Sequence, residues 1–215
     1  MLNIKEDYHV HTNFNDHSPV DLSVANVIKY GEEKGLISIG FTEHVRKNSE
    51  YIPKYLEEID KARSSGSAIR IIAGFEAKIL ENGDIDFPEE YEGHFVVASF
   101  HTKYGSKDKW FNALKIAIKN SHVNALGHLA PEESFDLDSS ELNELCDLIV
   151  KYNVTVELNA KYRRPPLPWL RVFKEKNVNF HLGSDAHRLE DVGNFESIVN
   201  LINFVGVTNL RSRKA

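Results

Sequence analysis

With 215 residues, 41% of them hydrophobic and 27% charged, the chain has the balance of a water-soluble globular domain large enough to bury a substantial core. A formal net charge of -6 lacks the basic excess with which duplex-binding proteins engage phosphates. That disfavours nucleic acid as a tight partner without excluding a basic rim around one pocket. The single cysteine, Cys146, cannot build a disulfide framework and sits in an apolar helical pattern, where a buried thiol is expected. With no signal-peptide core and no apolar run of bilayer length, the expected location is the cytoplasm, away from membranes. Ten histidines stand against one methionine and one cysteine.

In chain order, Lys5 to His11 reads as a first strand, followed by a helix capped at Asp21 or Ser23 and ending near Gly35. The run Ile37 to Thr42 is β-branched and leads directly into Glu43-His44. A helical segment (Ile52, Tyr55, Leu56, Ile59) precedes Ile69 to Ala73, after which come Gly74, Phe75 and Glu76. Asp84 to Phe87 is expected to add a short edge strand. Phe95 to Phe100 ends in His101, and a helix around Ala113, Leu114, Ile116 and Ala117 precedes Val123 to Leu126 and then Gly127-His128. Asp138 with Glu141 spells a capping box opening the next helix. Val154 to Val156 runs into Glu157-Leu158-Asn159; Pro168 to Lys176 is a helix, Val178 to Leu182 a strand, and Gly183 to His187 follow. A last helix (Ile198 to Val205) precedes a basic tail, Arg211 to Lys214.

Strand followed by helix about seven times, with no linker or low-complexity tract, predicts one α/β domain over residues 1–215 with a parallel sheet. Such units form an open doubly wound sheet or a closed barrel. Histidines and acids recur at or just past the predicted strand ends. In a seven-stranded open sheet those ends would spread over roughly 30 Å, whereas in a barrel they converge on one rim. Convergence favours a barrel.

A histidine after a strand is more often a hydrogen-bonded surface or core residue than a ligand. That reading applies to His94, His122 and His181. For the rest, accident has to explain a recurring pattern. His9 and His11, like Asp185 and His187, are two residues apart, so in an extended segment each pair faces one side. His44, Glu76, His101 and His128 stand at other strand ends, and His17 lies in a polar turn beyond the first pair. Imidazole and carboxylate without thiolate suit zinc, manganese or iron. Nine ligands exceed one ion's needs, which suggests two or three divalent ions sharing a bridging carboxylate.

These residues, from Asp7 to about Asp191, resemble the polymerase and histidinol phosphatase (PHP) domain family. The resemblance implies a distorted seven-stranded (β/α)7 TIM-like barrel with a trinuclear metal centre. It implies that His9, His11, Glu76 and Asp185 hold a first ion, that Glu76 bridges to a second held by His101 and His128, and that His17, His44 and His187 hold a third. The stretch Glu157 to Arg164 resembles the family's E-x-N segment followed by a phosphate-facing arginine, which an ungapped reading places at Arg164, with Arg163 next to it. Pro165-Pro166 departs from the family pattern there.

The expected chemistry is hydrolysis of a phosphate ester, with Glu76, Asp185, His187 and Arg164 as the catalytic set. Ions sharing a carboxylate can activate a water in line with phosphorus, and a guanidinium fork matches phosphate oxygens. Arg164, Arg163 and Lys103 are the candidate substrate contacts. Asp7 is expected either to orient a ligand imidazole through its second nitrogen or to cap a strand end. The resemblance points to a freestanding phosphatase acting on a small phosphorylated substrate, histidinol phosphate being the leading named candidate. The alternatives are a nuclease or phosphodiesterase acting on short nucleic acids and a non-catalytic metal-binding regulatory module. Neither the metal nor the oligomeric state is specified.

Overall fold

The structure is a computed structural model that describes residues 3–15, 18–131 and 135–206. Seven strands, β1 (Glu6–Val10), β2 (Ser38–Val45), β3 (Arg70–Lys78), β4 (Phe95–Ser99), β5 (Ala125–Leu126), β6 (Thr155–Asn159) and β7 (Phe180–Gly183), pair in chain order and in parallel. The sheet curls until its two edges meet. Val10 bridges Ala186, the His11 N–H donates to the Ala186 carbonyl at 3.1 Å, and the Asp185 N–H donates to the His9 carbonyl at 2.8 Å. The product is a nearly closed parallel barrel, in line with the barrel expected from convergence.

Around it lie α1 (Val24–Lys34), α2 (Ile52–Ser64), α3 (Lys107–Lys119), α4 (Ser139–Tyr152), α5 (Leu167–Glu175) and α6 (Val199–Val205). Local chemistry accounts for their limits. The Ser23 hydroxyl accepts from the Asn26 N–H, and α1 ends at Gly35, whose φ of 72° is left-handed. Asp138 and Glu141 form the reciprocal capping box at the start of α4. Between sheet and helices lies an apolar layer that includes Trp110, Trp169, Tyr55, Phe75 and Phe173, all essentially buried. Each such side chain contributes about 1.5–3 kcal/mol by leaving water. Cys146 is buried in this layer. Among the described residues no helix is long and apolar enough to cross a membrane.

Three expectations change. Asp84 to Phe87 forms no edge strand; a lone antiparallel bridge joins Ile79 to Ile85. The β3–β4 crossover carries a 3-10 turn, Glu89–Tyr91, where the alternation called for a helix. Strands β2, β3 and β6 run on by three to five residues past their predicted ends, so Glu43, His44, Glu76, Glu157 and Asn159 lie within strands. His17 and the tail Arg211 to Lys214 lie outside the described residues.

Candidate metal centre

Strand alternation positions the central residue. On β3, Phe75 turns into an aromatic cluster with Tyr55, Phe87 and Tyr91, so the next residue, Glu76, faces the opposite way. There its two oxygens meet different histidines. Oε1 is 3.0 Å from His101 Nε2 and 3.1 Å from His128 Nε2. Oε2 is 2.9 Å from His44 Nδ1 and 3.5 Å from both His9 Nε2 and His11 Nε2. One buried carboxylate is thus surrounded by five imidazoles from four strands or the loops after them.

Asp185 closes the remaining side, with Oδ1 3.4 Å from His11 Nε2 and 3.4 Å from His187 Nδ1. The rings of His44 and His187 stand 4.3 and 4.2 Å from that of His11. Both His128 (φ 29°) and Asp185 (φ 55°) adopt left-handed backbone conformations, which a non-glycine residue holds only at an energetic cost. In each case the side chain is delivered to the same cluster.

The inner histidines are held from behind by carboxylates. His9 Nδ1 lies 2.6 Å from Glu157 Oε1, and His11 Nδ1 lies 3.3 Å from Glu43 Oε1. Glu157 also accepts from the His128 N–H (2.7 Å) and Asn159 Nδ2 (3.1 Å), while Glu43 accepts from Thr12, Asn15 and the His44 N–H. Two glycines leave room for Glu157. A Cβ on Gly183 would fall 1.8 Å from its Oε1, and one on Gly127 would fall 2.2 Å from Ser99 Oγ and 3.3 Å from Glu157 Oε2.

A carboxylate accepting from Nδ1–H fixes the tautomer that bares the Nε2 lone pair. The Nε2 atoms of His9 and His11 are buried and have no hydrogen-bond partner. Both point toward the same Glu76 oxygen, so a cation between them would satisfy all three atoms at once. Three sets, His9–His11–Glu76, His44–Glu76–His101 and His11–His44–His187, bring candidate ligand atoms within 4.8 Å of one another. The residues therefore fit a metal-binding role.

Electrostatics agree with this reading. Burial opposes charge on His9, but Glu157, Glu76 and Asp185 outweigh it and push its pKa well above the ordinary value. His11 likewise rises to about 9 against the cost of burial, through Asp185 and Glu43. Glu76 stays ionised despite burial, held well below the usual range by His101 and His9. Glu43 falls to about 2 against its burial because of His11. Without a divalent cation, protons on imidazole supply the positive charge that these carboxylates require.

The structure brings His9, His11, His44, Glu76, His101, His128, Asp185 and His187 into one cluster; His17 lies outside the described residues. His94, His122 and His181 stand apart from it, against Tyr91, Phe87 and Thr155 respectively. Asp7 does not orient an imidazole. Its carboxylate accepts the N–H groups of His9, Ser184 and Gly193, which ties β1 to the segment after β7. Lys103 and Arg163 are exposed and Arg164 is half-buried, and among the described residues no ion pair joins them to the cluster. Sequence reasoning missed Glu43 and Glu157 as imidazole partners, and Lys161, whose Nζ lies 3.1 Å from Asp185 Oδ1. The Glu43-His44 and E-x-N motifs contained the first two, but nothing local says which histidine each acid reaches.

Comparison with known proteins places these residues in a lineage. Residues 7–161 match the model of the PHP domain. A protein of Vibrio campbellii named "Probable phosphatase" is 30% identical over 96% of this chain and 86% of its own length. The Bacillus subtilis "DNA polymerase/3'-5' exonuclease PolX" is 26% identical over 87% of this chain but only 35% of that larger protein. A crystal structure of a "putative histidinol phosphatase" from Listeria monocytogenes superposes with a TM-score of 0.68 over 90% of this chain and 99% of that one, at 19% identity, a likeness of fold. The chain belongs to the PHP domain family.

Proposed function

We propose that the protein is a metal-dependent phosphoesterase that releases inorganic phosphate from a small phosphomonoester. The observation that carries this reading is a polynuclear ligand set that is sealed behind and open in front. The side chains of His9 and His11 are fully buried, whereas those of His44, His101 and His187 are 33%, 30% and 20% exposed around the same Glu76–Asp185 core. A structural metal site is closed on all sides, while a catalytic one keeps a face for substrate. This is the feature that argues against a purely regulatory module.

His9, His11, Glu76 and Asp185 would hold one ion, with Glu76 shared toward His101 and His128, and His44 with His187 forming the outer edge. When bound, such ions lower the pKa of a coordinated water and neutralise phosphate charge. The protein's own residues do the positioning. Glu157 and Glu43 fix the tautomers of His9 and His11, and Asp7 locks the β1 edge against the Ser184 segment. Arg164 is the candidate for the non-bridging phosphate oxygens and Arg163 the alternate, both on the loop after β6.

The family relationship to named phosphatases supports the monoesterase reading, as does the net charge of -6, which gives a long polyanion little attraction. Zinc, manganese and iron all suit the nitrogen and oxygen ligands. The likeness to the PolX protein motivates an exonuclease reading on short oligonucleotides. A phosphate-release assay over a panel that includes histidinol phosphate, with each metal and alongside a short oligonucleotide, separates the two. Inorganic phosphate from monoesters is expected; mononucleotides released with a steep inverse salt dependence would overturn it.

A further inference from the structure

The loop after β6 is held tightly to the barrel. Asn159 N–H donates to the Arg164 carbonyl (2.9 Å), Ala160 N–H to the Gly183 carbonyl (2.9 Å) and Tyr162 N–H to Asn159 Oδ1 (2.8 Å). This fixes the backbone of Lys161 at the rim of the metal centre. From there its side chain reaches inward. Nζ lies 3.1 Å from Asp185 Oδ1 and 3.1 Å from His187 Nδ1, and Asp185 Oδ1 is also the atom facing His11. The neighbouring Tyr162 ring lies 4.8 Å from the His128 ring. Lys161 thus places a positive charge on the side of the cluster that Asp185 and His187 close.

An ammonium has three donors and no lone pair, so it satisfies a carboxylate as a cation does but cannot share it with a second cation at close range. We propose that Lys161 is a resident cation of the metal centre: its ammonium contests the ion position bounded by Asp185 and His187, and a divalent ion fills that position only as Lys161 withdraws. The proposal rests on the reading of the cluster as a metal centre. Withdrawal needs no backbone change, because the Lys161 side chain is 39% exposed and its four-carbon stem is flexible. The position around Glu76 with His101 and His128 lies beyond these contacts and fills first.

The test is metal binding by the metal-free full chain, read by calorimetry with Mn2+ and by elemental analysis after dialysis, without turnover. Lys161→Met keeps the stem and removes the charge. Its weakest Mn2+ site should tighten by about tenfold or more while the tightest changes by less than about threefold. Adding His187→Ala to Lys161→Met should cancel the gain, which a general loss of positive charge would not do. Unchanged affinities in Lys161→Met, an equal gain at every site, or a gain that survives His187→Ala would each overturn the proposal. If the wild-type chain bound no Mn2+, the metal-centre reading would fall and this proposal with it; if the wild type binds and Lys161→Met matches it, only the role of Lys161 falls.

Discussion

His9 is held by Glu157 at Nδ1, while its Nε2, without a hydrogen-bond partner, faces Glu76 Oε2 at 3.5 Å, and His11 repeats the pattern with Glu43 behind it. This has a consequence in pH. In the metal-free protein, His11 keeps its proton up to about pH 9, and His9 is also pushed well above its ordinary value. At pH 7.5 an incoming ion must displace those protons, so binding releases on the order of one to two protons per protein. Apparent affinity therefore rises with pH until the histidines lose their protons, by up to about tenfold per unit for each proton. Calorimetry of Mn2+ binding in buffers of different ionisation enthalpy measures the count; a count of zero would contradict this account. The ligand types were legible from their recurrence at strand ends, but the acids behind them were not. Of the two roles open to Asp7, imidazole orienter or strand-end cap, the first does not hold: it bonds the His9 backbone N–H. Glu157 reaches His9 from 148 positions away.

At the scale of elements, periodicity and capping chemistry located the helices within a few residues, because Ser23, Gly35 and the Asp138–Glu141 pair act locally. The strands extend beyond their apolar runs because, although Glu76 and Glu157 are polar, the barrel interior supplies the partners that let them continue a buried strand. The edge strand expected at Asp84 to Phe87 fails for a related reason, since that segment has strand-like alternation but pairs at one bridge only. His181, on β7, shows what a buried strand histidine does when it is no part of the cluster. Edge-on to Tyr8 and Phe95 and bonded to Thr155, it is pushed by burial from 6.5 down to about 4. The unfolded chain then binds the extra proton between those values. Stability from a neutral His181 is complete above pH 6.5 and is lost as pH falls toward 4. The shift corresponds to at most about 3 kcal/mol. Denaturant melts of the metal-free chain should show His181→Phe flattening the wild-type loss of stability across that window; parallel curves would rule the assignment out.

For the molecule as a whole, barrel closure is what makes the centre. The bond from Asp185 to the His9 carbonyl seals β1 against the segment after β7, and the same few residues carry four of the candidate ligands. Convergence of strand ends was inferable from a parallel βα alternation. The count of ions was not, because Glu76 and His11 each belong to more than one set of ligand atoms. On the proposed reading Glu76 is shared between ions, with one oxygen toward His101 and His128 and the other toward His9, His11 and His44. The most direct test is the metal-to-protein ratio of Glu76→Gln beside wild type, measured after dialysis against saturating Mn2+, with phosphate release from a chromogenic phosphomonoester read on the same samples. A shared ligand predicts the loss of more than one ion per chain, together with the loss of turnover. Full metal content with unchanged phosphate release would contradict it.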